Sequence, residues 1–256
     1  MEGLEQTAKL LTLIRERGFL PGDKLPSERD RAALFGMSRG AIREGLIRLD
    51  TLRIIDCRPK SGFYLQPYGA ERSIEAMVLF AETNIPLTAA EVVQSVELRS
   101  VLESEAMRLA CLRRTQSDLD RLKELLDASA TAISRGETLA DLDAEFHKAI
   151  VAATKNDVLL RFINVFYLMS RKRREIYFHD APQNKRSHAQ HLQLYRAIEA
   201  RDAELGLQLL RRHLKGVDAY FRMFFSEAQD AAPPRVARKP GRPAPATGRA
   251  RTAKAA

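Results

Sequence analysis

Tryptophan is absent from this chain of 256 residues, and only two cysteines occur, Cys57 and Cys111. Two cysteines lying far apart make no disulfide framework, which excludes the small, stapled, secreted scaffolds. No apolar run reaches the length needed to cross a bilayer, and the opening MEGLEQTAKLL lacks the basic-then-apolar layout of a signal peptide. No membrane partner is expected, and a cytoplasmic protein fits. Acidic residues are missing from one end: residues 231–256 hold seven Lys or Arg and no Asp or Glu. Residues 1–69 hold twelve bases and nine acids, so the net charge of +9 sits at the two ends and the middle is near neutral. Contact with a polyanion is therefore expected of the ends and not of the middle. Alternating strand patterns are also missing from Gly69 to Glu227, where helical periodicity dominates.

What is present is concentrated between Arg17 and Leu65, which read RGFLPGDKLPSERDRAALFGMSRGAIREGLIRLDTLRIIDCRPKSGFYL. Pro21-Gly22 signals a turn, and Leu25-Pro26 ends the extended piece after it. Ser27 suits an N-cap, with Glu28 and Asp30 complementing the helix dipole. Phe35-Gly36 closes this short helix with a glycine suited to the left-handed C′ position. Ser38 caps the next helix after a turn of a few residues. There Ile42, Leu46 and Leu49 follow i, i+4, i+7 and should face the core, while Arg39 and Arg43 share another face near the N-terminus. Ile54-Ile55 and Phe63-Tyr64-Leu65 read as two strands joined by residues 58–62, a wing in which Arg58 or Lys60 reaches phosphates or the minor groove. This order is that of a winged helix-turn-helix, which lays one helix in the DNA major groove. One arginine pair alone would read better as a solvated helical face; caps, turn, helix and wing in sequence outweigh that reading.

The stretch PGDKLPSERDRAALFGMSRGAIREGLIRL resembles the N-terminal domain of GntR-family bacterial transcription regulators. The shared pattern is PG-x-x-LPSER, then FG-x-SR, then R-E-x-L-x-x-L, and it spans about a quarter of the chain. The resemblance implies contact with operator DNA by Arg29, Ser38, Arg39, Gly40, Arg43 and Gly62. It implies a bacterial cytoplasm and association with the nucleoid when bound. One position departs from the pattern: Arg53 stands where glycine often precedes the first wing strand.

The middle of the chain should be an all-helical bundle with short connections. Thr88 to Glu91 forms a capping box that opens a helix to about Leu112, and Thr115 with Asp118 opens another to about Ser134. Further helices are expected over about Leu139 to Ala153, Asp157 to Phe178, Arg186 to Ala200 and Asp202 to Ala228. A weaker one over Glu71 to Glu82 should connect the two halves. Asp143 and His147 are i, i+4, His188 and His191 are i, i+3, and His213 is in register with Leu210, Val217 and Phe224. An aspartate and histidines from three helices suit a divalent metal such as Zn, Ni, Fe or Mn. Each histidine taken singly reads better as a hydrogen-bonded core residue than as a ligand, and the spacing of the set leaves both readings open.

VELRSVLESEAMRLACLRRT, DAEFHKAIVAATKND and HLQLYRAIEARDAELGLQLLRRHL look like the FCD-type ligand-binding domain of the FadR subfamily of GntR regulators. That resemblance implies Asp143, His147, His191 and His213 as metal ligands, with His188 as a neighbour. Gln190 stands where the family often has Glu. It also implies a small organic acid as effector, for which Arg99 is a candidate bidentate clamp and Arg173 a weaker one.

The fold expected is therefore mainly α: a winged helix-turn-helix domain over residues 1–66, a linker and connecting helix over 67–87, an all-helical FCD-like domain over 88–229, and a disordered basic tail over 230–256. The function expected is that of a DNA-binding regulator, by default a repressor, acting as a homodimer on a two-fold operator. Three other readings stand beside it: a FadR-like sensor of an acyl ligand without metal, a metal-dependent hydrolase, and an architectural DNA binder driven by the tail. Lys239 to Pro243 faintly matches a minor-groove hook, but a solvated basic tail with non-specific affinity explains the composition better.

Overall fold

The computed structural model describes residues 2–26, 36–67, 72–83 and 89–230. Ten helices and one two-stranded sheet are found among them. The N-terminal part starts with α1 (Glu2–Glu16), a helix not foreseen from the sequence although Leu10, Leu11 and Ile14 carry a helical repeat. α1 packs on α2 (Arg39–Thr51), whose Ile42, Leu46 and Leu49 are fully buried as their spacing predicts. Burying each of these side chains contributes about 1.5–3 kcal/mol. Ser38 caps α2 by accepting the Ala41 N–H. The helix expected from Ser27 to Phe35 lies outside the described residues, but Gly36 just after it has φ 59, the left-handed conformation foreseen for it.

The wing is β1 (Ile55–Arg58) paired antiparallel with β2 (Gly62–Leu65), in a register that sets Ile55 opposite Leu65 and Arg58 opposite Gly62. The segment around Lys24 adds a third edge, with Leu25 N–H donating to Phe63 O and Leu65 N–H to Asp23 O. Arg53, the one departure noted from the family resemblance, adopts φ 53. The chain turns into the wing through a left-handed residue despite the side chain.

The helical part consists of α4 (Ala89–Arg113), α5 (Gln116–Ser134), α6 (Ala140–Ala152), α7 (Asp157–Met169), α8 (Arg171–His179), α9 (Ala181–Glu199) and α10 (Ala203–Asp230). Thr115 and Asp118 form the foreseen capping box of α5. Thr88, foreseen as the cap of α4, lies outside the described residues. Two expectations are corrected. The helix expected over Asp157 to Phe178 is broken at Ser170 (ψ 3), where the Arg174 guanidinium takes the Tyr167 carbonyl and the Ser170 hydroxyl as acceptors. α9 starts at Ala181 rather than Arg186, because Pro182 falls in its first turn, where the missing N–H costs nothing.

Between the two parts lies α3 (Ile74–Glu82), capped by Ser73. Its Ala76, Leu79 and Phe80 belong to the core of the winged part, with Leu10, Ile14 and Leu65. Its Met77 and Ala81 pack on a core of the helical part formed by Ala106, Ile163, Phe166 and Tyr167. One short helix thus has a face in each core.

Candidate metal centre and nucleic-acid interface

The start of α2 is a polar, exposed face. Ser38, Arg39, Gly40 and Arg43 all stand in solvent there, while Arg48 and Glu44 pair one turn further on at 3.0 Å. Arg29 lies outside the described residues. At the wing, Gly62 has φ 111, and a Cβ on it would meet Lys24 Cε at 3.3 Å. A side chain there would be strained by the backbone, and the end of Lys24 would have to give way slightly. Arg58 is held over the Tyr64 ring at 4.1 Å and pairs with Asp56 at 2.8 Å, which leaves exposed Lys60 (φ 59) at the tip of the wing.

The histidines meet in the core of the helical part. Asp143 and His147 come from α6, His191 from α9 and His213 from α10. All four are buried, and their candidate ligand atoms lie within 4.8 Å of one another. His147 Nε2 is 3.2 Å from His213 Nε2, and Asp143 Oδ1 is 3.4 Å from His191 Nε2 and 3.8 Å from His147 Nε2. Ser187 Oγ stands 3.4 Å from both Asp143 Oδ1 and His191 Nε2. Phe146 stacks on the His191 ring at 4.3 Å between centroids. His188 is not part of this cluster.

The outward ring nitrogens face oxygen atoms, and that of His213 makes a hydrogen bond. His147 Nδ1 is 2.8 Å from Glu103 Oε2, and His213 Nδ1 is 2.8 Å from Gln190 Oε1. If each Nδ1 carries the proton, two Nε2 lone pairs face each other across 3.2 Å. Such an approach needs a proton or a cation between them. Burial pushes the His213 imidazole well below its ordinary range and lowers His191 as well, so both favour the neutral, ligating form. Burial alone would raise the Asp143 carboxyl, but the His191 hydrogen bond and the neighbouring imidazoles more than offset it and keep Asp143 ionised. Three neutral imidazoles and one carboxylate suit a borderline divalent ion, so the residues fit such a metal.

A tight cavity of about 30 Å³ adjoins the cluster, with Asp143, His213, Ser170, Arg99, Arg173 and Arg174 in its wall. Three arginines around one small space favour an anionic guest. Arg99, the foreseen clamp, does reach this wall, but its Nε donates to Glu103 at 2.6 Å and its Nη2 to the Tyr167 hydroxyl at 2.9 Å. Arg173 lies 6.0 Å from the Phe166 ring. Sequence reasoning missed Glu103, Tyr167 and Arg174; the one available signal was the i, i+4 spacing of Arg99 and Glu103 on a single helix face. A second, mostly apolar cavity of about 540 Å³ lies between α3, α4 and α7, walled in part by Met77, Phe80, Leu102 and Phe166. Arg99 and Phe166 line both cavities.

Comparison with known proteins agrees with this architecture. Residues 5–65 match the model of bacterial regulatory proteins of the gntR family, and residues 94–216 match the FCD domain. The HTH-type transcriptional regulator LutR of Bacillus subtilis is 27% identical over 226 residues, covering 84% of this chain and 99% of LutR. The Nta operon transcriptional regulator of Aminobacter aminovorans is 33% identical over 178 residues, covering 69% of this chain and 73% of that protein. Among solved structures, that of Lar, which controls the expression of the Listeria monocytogenes agr system and mediates virulence, aligns with a TM-score of 0.55 and 16% identity over 82% of this chain and 92% of its own. That likeness speaks for the fold alone. With a winged helix-turn-helix ahead of an all-helical bundle, and relatives that are regulators rather than enzymes, the chain belongs to the gntR family of bacterial regulatory proteins, as a DNA-binding transcription regulator of the FadR type with an FCD domain.

Proposed function

We propose that this regulator, acting as a repressor, releases or grips its operator in response to a small organic acid bound beside a metal ion. Residues 1–66 read the operator through Ser38, Arg39, Gly40, Arg43 and Gly62, together with Arg29. Residues 67–87 connect, residues 88–229 sense, and residues 230–256 add non-specific attraction to DNA. The observation that carries the reading is the convergence of Asp143, His147, His191 and His213 beside a small cavity with three arginines in its wall. A divalent Zn, Ni, Fe or Mn ion held by these four residues supplies coordination positions that accept hard anionic oxygens. Arg99 and Arg173 then offset the acid's remaining charge. To change DNA binding, the acid must bind one arrangement of the protein more tightly than the other.

Two copies on a two-fold operator fit the exposed apolar faces of adjacent helices: Val101 on α4 is 62% exposed and Phe162 on α7 is 53% exposed. Electrophoretic binding to the upstream DNA of the protein's own gene, with and without short hydroxy- and dicarboxylic acids, tests the response. The expected result is a shift in affinity with one class of acid that EDTA abolishes; an affinity indifferent to every acid and to EDTA sinks the sensing part.

A second reading, a sensor of an acyl ligand without metal, is favoured by the apolar cavity of about 540 Å³ against α3. Metal analysis of the purified protein separates the two: one ion per chain supports the first reading and none supports the second.

A further inference from the structure

Behind the metal cluster lies a buried carboxylate, Glu103 of α4, only 3% exposed. Its Oε1 accepts from Arg99 Nε at 2.6 Å and from the Tyr167 hydroxyl at 2.6 Å. Arg99 Nη2 donates to the same hydroxyl oxygen, so the tyrosine proton is directed at Glu103. Its Oε2 lies 2.8 Å from His147 Nδ1, at an angle that falls short of a hydrogen bond, and neither atom has a hydrogen-bond partner among the described residues. The triangle of Arg99, Tyr167 and Oε1 decides which oxygen is left for the histidine.

We propose that Glu103 is a positioning residue of the metal centre: its unclaimed Oε2, set beside His147 Nδ1, draws the ring proton to that side and so fixes the tautomer whose bare Nε2 points at Asp143, His191 and His213. A carboxylate behind a ligating imidazole also makes the ring a better donor to the ion. The inference rests on the metal reading above but concerns a residue outside the ligand set.

The amide replacement Glu103→Gln makes the idea sharp. Two donors, Arg99 Nε and the Tyr167 hydroxyl, already claim one oxygen, so the amide oxygen stays on that side. The amide N–H₂ must then face His147 Nδ1. An N–H facing a ring nitrogen requires that nitrogen to be the acceptor, so the ring proton moves to Nε2. There it blocks coordination, and it can also donate across the 3.2 Å gap to His213 Nε2, a contact that suits the metal-free protein.

Full-length protein is stripped with EDTA, dialysed at neutral pH and titrated with Zn²⁺, with Co²⁺ absorption as a second readout. The parent, His147→Ala and Glu103→Gln are compared. The expected result is one ion per parent chain, loss in His147→Ala, and binding about 10- to 100-fold weaker in Glu103→Gln. The metal-free melting temperature of Glu103→Gln should not fall below the parent's. Parent-like affinity in Glu103→Gln beside loss in His147→Ala overturns the proposal and leaves the metal site standing. A lowered metal-free melting temperature with unchanged affinity marks a merely structural residue and also overturns it. No binding by the parent removes both readings. A measurement on the parent alone holds whether or not the variant folds: in the Zn²⁺-loaded protein with ¹⁵N-labelled histidine, the His147 Nδ1–H should resonate far downfield and exchange slowly, and its absence counts against Glu103 as the acceptor.

Discussion

Arg39 and Arg43 stand one turn apart at the solvent-facing start of α2, where a guanidinium can reach guanine O6 and N7 in the major groove. Each well-placed bidentate contact is worth about 1–3 kcal/mol of discrimination. Arg39→Ala or Arg43→Ala is therefore expected to weaken operator binding about 10- to 100-fold, while binding to scrambled DNA changes far less. Fluorescence anisotropy on the two DNAs checks this; equal selectivity in parent and variants would contradict the assigned face. At the histidines, acid is the probe. His191 and His213 are held below their ordinary value by burial, so the folded metal-free chain takes up protons at lower pH than the unfolded chain does. The unfolded state then binds more protons as the pH falls through about 6.5, and stability drops across that window while remaining complete above it. Metal loading must fall in the same direction, because the ligating imidazoles have to be neutral. Denaturant midpoints in EDTA between about pH 7.5 and 5 test this, and a flat series would argue against buried neutral imidazoles.

At the scale of elements, the wing offers the cleanest substitution. Arg53 sits at φ 53, a conformation that costs a side chain about 1–2 kcal/mol and glycine almost nothing. Arg53→Gly should raise stability by about 0.5–1 kcal/mol, less than the full relief because glycine also loosens the unfolded chain. Thermal melts read it, and a lowered melting temperature would show that contacts of the arginine outweigh the backbone strain. Most elements were legible from local signals, although α1 was missed despite the repeat of Leu10, Leu11 and Ile14. Ser38 and the Thr115–Asp118 box name the residues that start their helices, and Ile42, Leu46 and Leu49 announce the buried face of α2. The break at Ser170 was hidden because no glycine or proline marks it; a guanidinium four residues on satisfies the backbone there. Pro182 falls between two expected helices and lies in the first turn of α9. The clustered histidines share a recognisable helical phase, whereas Glu103 is defined by His147 and Tyr167, 44 and 64 positions away, and no local pattern carries that.

For the whole molecule, the exposed apolar faces of α4 and α7 set an expectation about assembly. Val101→Glu combined with Phe162→Glu places charge on both faces without touching the buried cluster. Light scattering should show the parent as a dimer and the variant as a monomer, with operator affinity reduced by at least about tenfold because the second half-site no longer assists the first. A variant that remains dimeric would move the interface elsewhere.

The connecting helix α3 has its own consequence for anyone who recombines these regulators. Ala76, Leu79 and Phe80 are fitted to one neighbour, and Met77 and Ala81 to another. A chimera that takes its reader from one relative and its sensor from a second therefore has no neutral splice point here: whichever parent donates Ile74–Glu82, half of that helix is left against foreign side chains. Working hybrids should need this nine-residue segment written as a patchwork, alternate positions from alternate parents, rather than cut at either end.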